Sequence, residues 1–175
     1  MTKNFLQLLI QRITLRIKIL QLRLQIMKGQ KVTYPKYKIK GVIVHHSAGD
    51  WTFDQVNNHH KDIWGAKSSL GYYVGYHKVI DLDGTLHIAR RDGEEGAHAV
   101  GGIPHYYNRY YVGICLQGNF EEREPTGEQL RVLEKELDKY RRVGLEILMH
   151  RQVSATLCPG KHLIEWLQAY KKYGK

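Results

Sequence analysis

Seven apolar positions near the amino terminus, Leu6, Ile10, Ile13, Ile17, Leu20, Leu24 and Met27, follow one another at intervals of four and three residues, a heptad seam. Leu8, Leu15 and Leu22 draw a second apolar line at intervals of seven. Ile13, Leu15, Ile17 and Ile19 also alternate as a strand would. The heptad pattern lasts longer and Gly29 supplies a stop, so an amphipathic helix is predicted. One stripe would dock on the body or on a second copy. The other is free for a different contact, and association with a membrane surface is the second reading.

Beyond the linker "KGQKVTYPKYK" the pattern changes to short apolar runs broken by turns. "IKGVIVHHSA" (39–48) reads as a buried strand that runs into a histidine pair. "TFDQVNNHHKDIW" (52–64) has a threonine cap and helical spacing of Phe53, Val56 and Ile63. "GYYVGYHKVI" and "TLHIA" flank "DLDG", a hairpin signal. "YYVGICLQG" is a further strand, and "TGEQLRVLEKELDKYRRVG" a helix opened by a Thr126–Gln129 capping box and closed by Gly144. "LEILMH" and "KHLIEWLQAYKKY" add a strand and a last helix. Strands interleaved with helices predict an α/β fold: a single domain over 32–175 with a central mixed β-sheet flanked by helices, preceded by the N-terminal amphipathic helix of 1–31.

Charge sharpens that division. Residues 1–31 hold Lys3, Arg12, Arg16, Lys18, Arg23, Lys28 and Lys31 and no acid, so +7 of the formal +10 lies there. The remaining 20 basic residues face 17 acids, which makes nucleic acid an unexpected partner for the body. The basic arm suits an anionic wall polymer or a membrane surface. Its apolar runs never exceed three residues, so it is neither a clear signal peptide nor a membrane-spanning helix. Two cysteines exclude a disulfide framework.

One of those cysteines sits where chemistry is expected. His150 and Cys158 flank the loop "RQVSATL", just before Pro159-Gly160. A buried structural cysteine suits that setting poorly. A catalytic zinc takes three protein ligands and leaves one position open. The third ligand is expected at a strand end, and "IVHHSA" is the best-placed segment.

Several segments, taken in order from about residue 40 to 166, resemble the zinc amidases of the phage-lysozyme type and the related peptidoglycan recognition proteins. "VIVHHSA" is similar to the first ligand segment, "GYHKVIDLDGT" to the strand with the catalytic tyrosine, and "ARRDGEEGAHAVG" to the pocket segment. "NRYYVGICLQGNF" resembles the central strand and "MHRQVSATLCPG" the final ligand segment. Each motif alone is weak; five in register are specific.

The resemblance implies an N-acetylmuramoyl-L-alanine amidase that cleaves peptidoglycan between the lactyl group of muramic acid and L-alanine. Its zinc ligands would be His45, His150 and Cys158. Tyr76 and Thr156 would be catalytic, with Thr156 standing where some phage enzymes carry lysine. Arg90, His98 and Asn108 would contact the substrate. Two departures stand out. Lys78 occupies a strand position that is ordinarily aromatic or aliphatic, and the basic arm has no counterpart. A phage or prophage endolysin, cytoplasmic until lysis, is the expected setting. The alternative is a peptidoglycan-binding module of the same fold without catalysis.

Overall fold

A computed structural model of the chain describes residues 37–101 and 103–173. The arm predicted over 1–31 lies outside the described residues. The described residues form one compact unit. Its centre is β1 (Gly41–His46), buried along its whole length because neighbours cover both its edges and both its faces. A parallel partner lies on either side of it, β4 (Tyr111–Leu116) and β5 (Glu146–Met149). Outside β4 come β2 (Lys78–Ile80) and then β3 (Leu86–Ile88), giving the order β3-β2-β4-β1-β5 with only the β2–β3 pair antiparallel. The expected mixed sheet flanked by helices is what forms.

Strand alternation assigns the faces. Val42, Val44, Val112, Ile114 and Leu116 pack with Leu133 and Leu137 of α3 (Gly127–Arg141) and Leu163 and Leu167 of α4 (Lys161–Tyr173). On the other face Val79 and Cys115 pack with Phe53 and Val56 of α1 (Phe53–Trp64). His45 and His46 are adjacent in one strand, so they fall on opposite faces.

Local signals act as the sequence indicates. Thr52 and Thr126 each close a capping box, with Gln55 and Gln129 respectively. The turn at Asp81–Gly84 is tied by Gly84 N–H to Asp81 O and by Thr85 N–H to the Asp83 carboxylate. Lys78 is buried in β2. Its ammonium donates to Glu136 at 3.0 Å and to the Tyr140 hydroxyl, which in turn donates to Asp92 at 2.8 Å. The departure at Lys78 is thereby absorbed as a polar tie between sheet and α3.

Two expectations are corrected. The strand over "GYYVGYHKVI" forms only at Lys78–Ile80, because the segment before it is tethered to α1. There Tyr73 N–H donates to the Asn57 side chain and Gly75 N–H to His60 Nδ1, so those groups are withdrawn from any ladder. The strand over "LEILMH" stops at Met149, since His150 opens a short 3₁₀ turn (His150–Gln152). A short helix that the pattern did not signal, α2 (Tyr106–Tyr110), leads into β4.

Candidate metal centre

His45 ends β1 at the carboxyl edge of the parallel strands, where open α/β sheets present their ligand sites. Its alternation in the strand points it to the α1 side, while His46 goes to the other face and accepts the Phe120 N–H at 3.2 Å. The remaining two groups arrive on the far loop. Val153 N–H and Ser154 N–H both bond back to His150 O, and Arg151 N–H reaches Cys158 O at 2.9 Å. That closure folds an eight-residue separation into proximity.

Ligating atoms of His45, His150 and Cys158 all lie within 4.8 Å of one another. Cys158 Sγ is 3.8 Å from His45 Nδ1, and the two imidazole rings are 4.4 Å apart between centroids. His150 Nε2 is buried and has no hydrogen-bond partner among the described residues. A buried polar nitrogen without a partner is costly, and a cation would remove that cost.

The electrostatics fit a cation as well. Burial drives the His45 imidazole well below the ordinary histidine range, helped by His98 and His150, and burial also lowers His150. Both are therefore neutral and able to ligate. Burial pushes the Cys158 thiol up to about 12, with partial relief from the His46 N–H that donates to its sulfur at 3.4 Å. A coordinated divalent cation deprotonates such a thiol. Two imidazoles and one thiolate are a donor set suited to zinc with one position left open.

Beside the cluster lies a cleft of about 360 Å³, lined by Trp64, Tyr76, His98, Val100, His150 and Thr156. The Tyr76 ring is 5.1 Å from that of His45. Burial raises its hydroxyl well above the ordinary tyrosine value, and the Cys115 and Cys158 sulfurs add to the rise. Tyr76 accordingly remains a protonated donor. Thr156 lines the cleft and accepts the Cys158 N–H at 3.2 Å through Oγ1.

The three residues expected to contact substrate each have partners within the fold. Arg90 is 3% exposed, and its guanidinium donates to the carbonyls of Val74, Glu95 and Ala66. It ties the loops that form one wall of the cleft. Asn108 accepts the N–H groups of His98 and Ala99 through Oδ1. His98 lines the cleft but has both ring nitrogens engaged, with His45 Nε2 at 3.0 Å and Tyr111 O at 3.1 Å. Trp64, at the end of α1 and half exposed, is a cleft residue that the sequence reading passed over. Its signal was an aromatic on the solvent side of an amphipathic helix.

His45 at the end of the central strand, with His150 and Cys158 brought beside it by the turn and loop that follow β5, forms a cluster of groups able to hold a metal next to an open cleft. The chain belongs to the N-acetylmuramoyl-L-alanine amidase family, whose sequence profile matches residues 35–161. Peptidoglycan-recognition protein SD of Drosophila melanogaster is 32% identical over 142 residues, covering 76% of this chain and 74% of that protein. The endolysin of Klebsiella phage KP32 is 32% identical over 100 residues, 53% of this chain and 63% of its own. Among solved structures, N-acetylmuramoyl-L-alanine amidase LysC from Clostridium intestinale superposes with a TM-score of 0.64 at 26% identity, covering 79% of this chain and 89% of that one.

Proposed function

We propose that the protein is a zinc-dependent N-acetylmuramoyl-L-alanine amidase that hydrolyses the amide between N-acetylmuramic acid and the L-alanine of the stem peptide. The observation that carries this reading is the convergence of His45, His150 and Cys158 within 4.8 Å, with His150 opening onto a cleft that Tyr76 and Thr156 also line. Zinc held by those three residues supplies Lewis acidity at the scissile amide.

The chain's own groups do the rest. The Tyr76 hydroxyl donates a hydrogen bond to the oxygen that gains negative charge as the carbonyl becomes tetrahedral. Thr156 adds a neutral donor at the same side. Trp64 and Val100 line the cleft with apolar surface that orients the substrate beside the metal. The grouping of two imidazoles with one cysteine beside the cleft is the reason for reading catalysis rather than recognition alone, since binding of the polymer needs no such donor set. The related endolysins favour a phage or prophage lysin that reaches the wall at lysis.

Mass analysis of soluble products from purified peptidoglycan tests the reading. Free stem peptides that begin with L-alanine, with no new reducing sugar ends, are expected. Retention on peptidoglycan without release of any fragment would favour the recognition reading instead.

A further inference from the structure

His98 stands behind the metal centre in a setting that determines where its protons lie. Tyr111 O can only accept, so the 3.1 Å contact requires a proton on His98 Nε2. The neutral ring then presents a lone pair at Nδ1. His45 Nε2, 3.0 Å away, must donate to it. That leaves the lone pair of His45 at Nδ1, the nitrogen 3.8 Å from Cys158 Sγ. We propose that His98 is a positioning residue for the metal centre: by accepting from His45 it fixes His45 in the tautomer whose Nδ1 faces the metal.

The surroundings hold His98 for this task. Asn108 Oδ1 anchors its backbone at 2.8 Å and that of Ala99 at 2.9 Å. A Cβ at Gly113 would fall 2.6 Å from His98 Cγ, and one at Gly96 would fall 2.6 Å from His98 Cδ2. Both glycines therefore make the slot in which the ring stands, one of them in the middle of β4. His77 closes the slot at 5.5 Å, near perpendicular to the ring. A partner that orients a metal-bound histidine is worth about 10–100-fold in metal affinity. Without it the His45 ring is free to carry its proton on Nδ1, which blocks ligation.

The proposal rests on the zinc reading above, and its test separates the two. Imidazole ¹⁵N shifts and long-range ¹H–¹⁵N couplings in the metal-free wild-type protein report tautomers directly. His45 and His98 are both expected as Nε2–H forms. An Nδ1–H form at either would overturn the relay even if zinc binds. In parallel, zinc affinity is measured by chelator competition for wild type, His98→Leu and His98→Asn, with melting of the metal-free proteins as the folding control. His98→Leu is expected to lose about 10–100-fold. His98→Asn keeps an acceptor near the Nδ1 position and should recover most of the loss. Equal affinity in wild type and His98→Leu, or equal loss in both variants, would overturn the proposal while leaving the zinc reading intact. Failure of the wild-type protein to bind zinc would remove that reading itself.

Discussion

His45 and Cys158 are 113 residues apart in the chain, yet Nδ1 of one lies 3.8 Å from Sγ of the other. Two independent devices produce the contact. β1 delivers His45 by strand alternation, and the loop closed between Arg151 and Cys158 delivers the sulfur. Replacing Cys158 with serine keeps the geometry but exchanges a soft thiolate donor for a hydroxyl. Zinc content by elemental analysis and amidase activity should fall together in Cys158→Ser. Full occupancy in that variant would exclude the thiolate as a ligand.

Tyr76→Phe removes one hydroxyl and leaves the ring packed near His45, His60 and His98. Zinc content and melting temperature should stay at wild-type values. Turnover should fall by about 10²–10³-fold, the cost of one oxyanion donor, with KM little changed. A wild-type kcat would assign the donor role elsewhere.

Stability away from the site depends on the buried Lys78–Glu136 pair, 3.0 Å apart. Burial alone would raise the Glu136 carboxyl, but hydrogen bonds from Lys139 and Lys78 outweigh it and hold the group below its ordinary value. A folded-state value below the unfolded one adds stability above the unfolded value. That contribution is lost as pH falls through the folded one. Chemical denaturation should therefore show wild-type stability declining below about pH 4.5, with a shallower decline in Glu136→Gln. Lys78→Met leaves the buried carboxylate poorly paired and should cost about 3 kcal/mol at neutral pH.

For the arm, the prediction rests on sequence alone. Removal of residues 1–31 deletes seven basic residues and the heptad seam. Zinc binding and cleavage of soluble muropeptides should survive. Oligomer mass by light scattering, or salt-sensitive binding to anionic wall or lipid, should decrease. Unchanged mass and unchanged binding would leave the arm without that role.

Much of the fold was legible because its signals are local. The threonine cap at Thr52, the capping box at Thr126, the Asp81–Gly84 turn and the apolar run of β1 each depend on residues within a few positions. The segment before Lys78 reads as strand because it runs into the DLDG hairpin signal. What removes it from the sheet is side-chain capture by Asn57 and His60, which no periodicity records. The grouping of His45, His150 and Cys158 came from motif resemblance, since spacing left either histidine of the pair open. Structure separates the two by face. The roles of Arg90, His98 and Asn108 as substrate contacts follow from the motif resemblance, which carries no information on where each side chain points. Their hydrogen bonds turn inward, to carbonyls, to backbone N–H groups and to a ligand ring.

The central claim, that three residues hold a zinc on which amide cleavage depends, is tested most directly by stripping and restoring the metal. Initial rates of L-alanine-terminated peptide release are measured on purified peptidoglycan before chelation, after chelation and dialysis, and after addition of one equivalent of zinc. Activity should vanish on stripping and return with one zinc per chain in the wild-type protein, with no recovery in Cys158→Ser. Undiminished peptide release from thoroughly zinc-free protein would contradict the account.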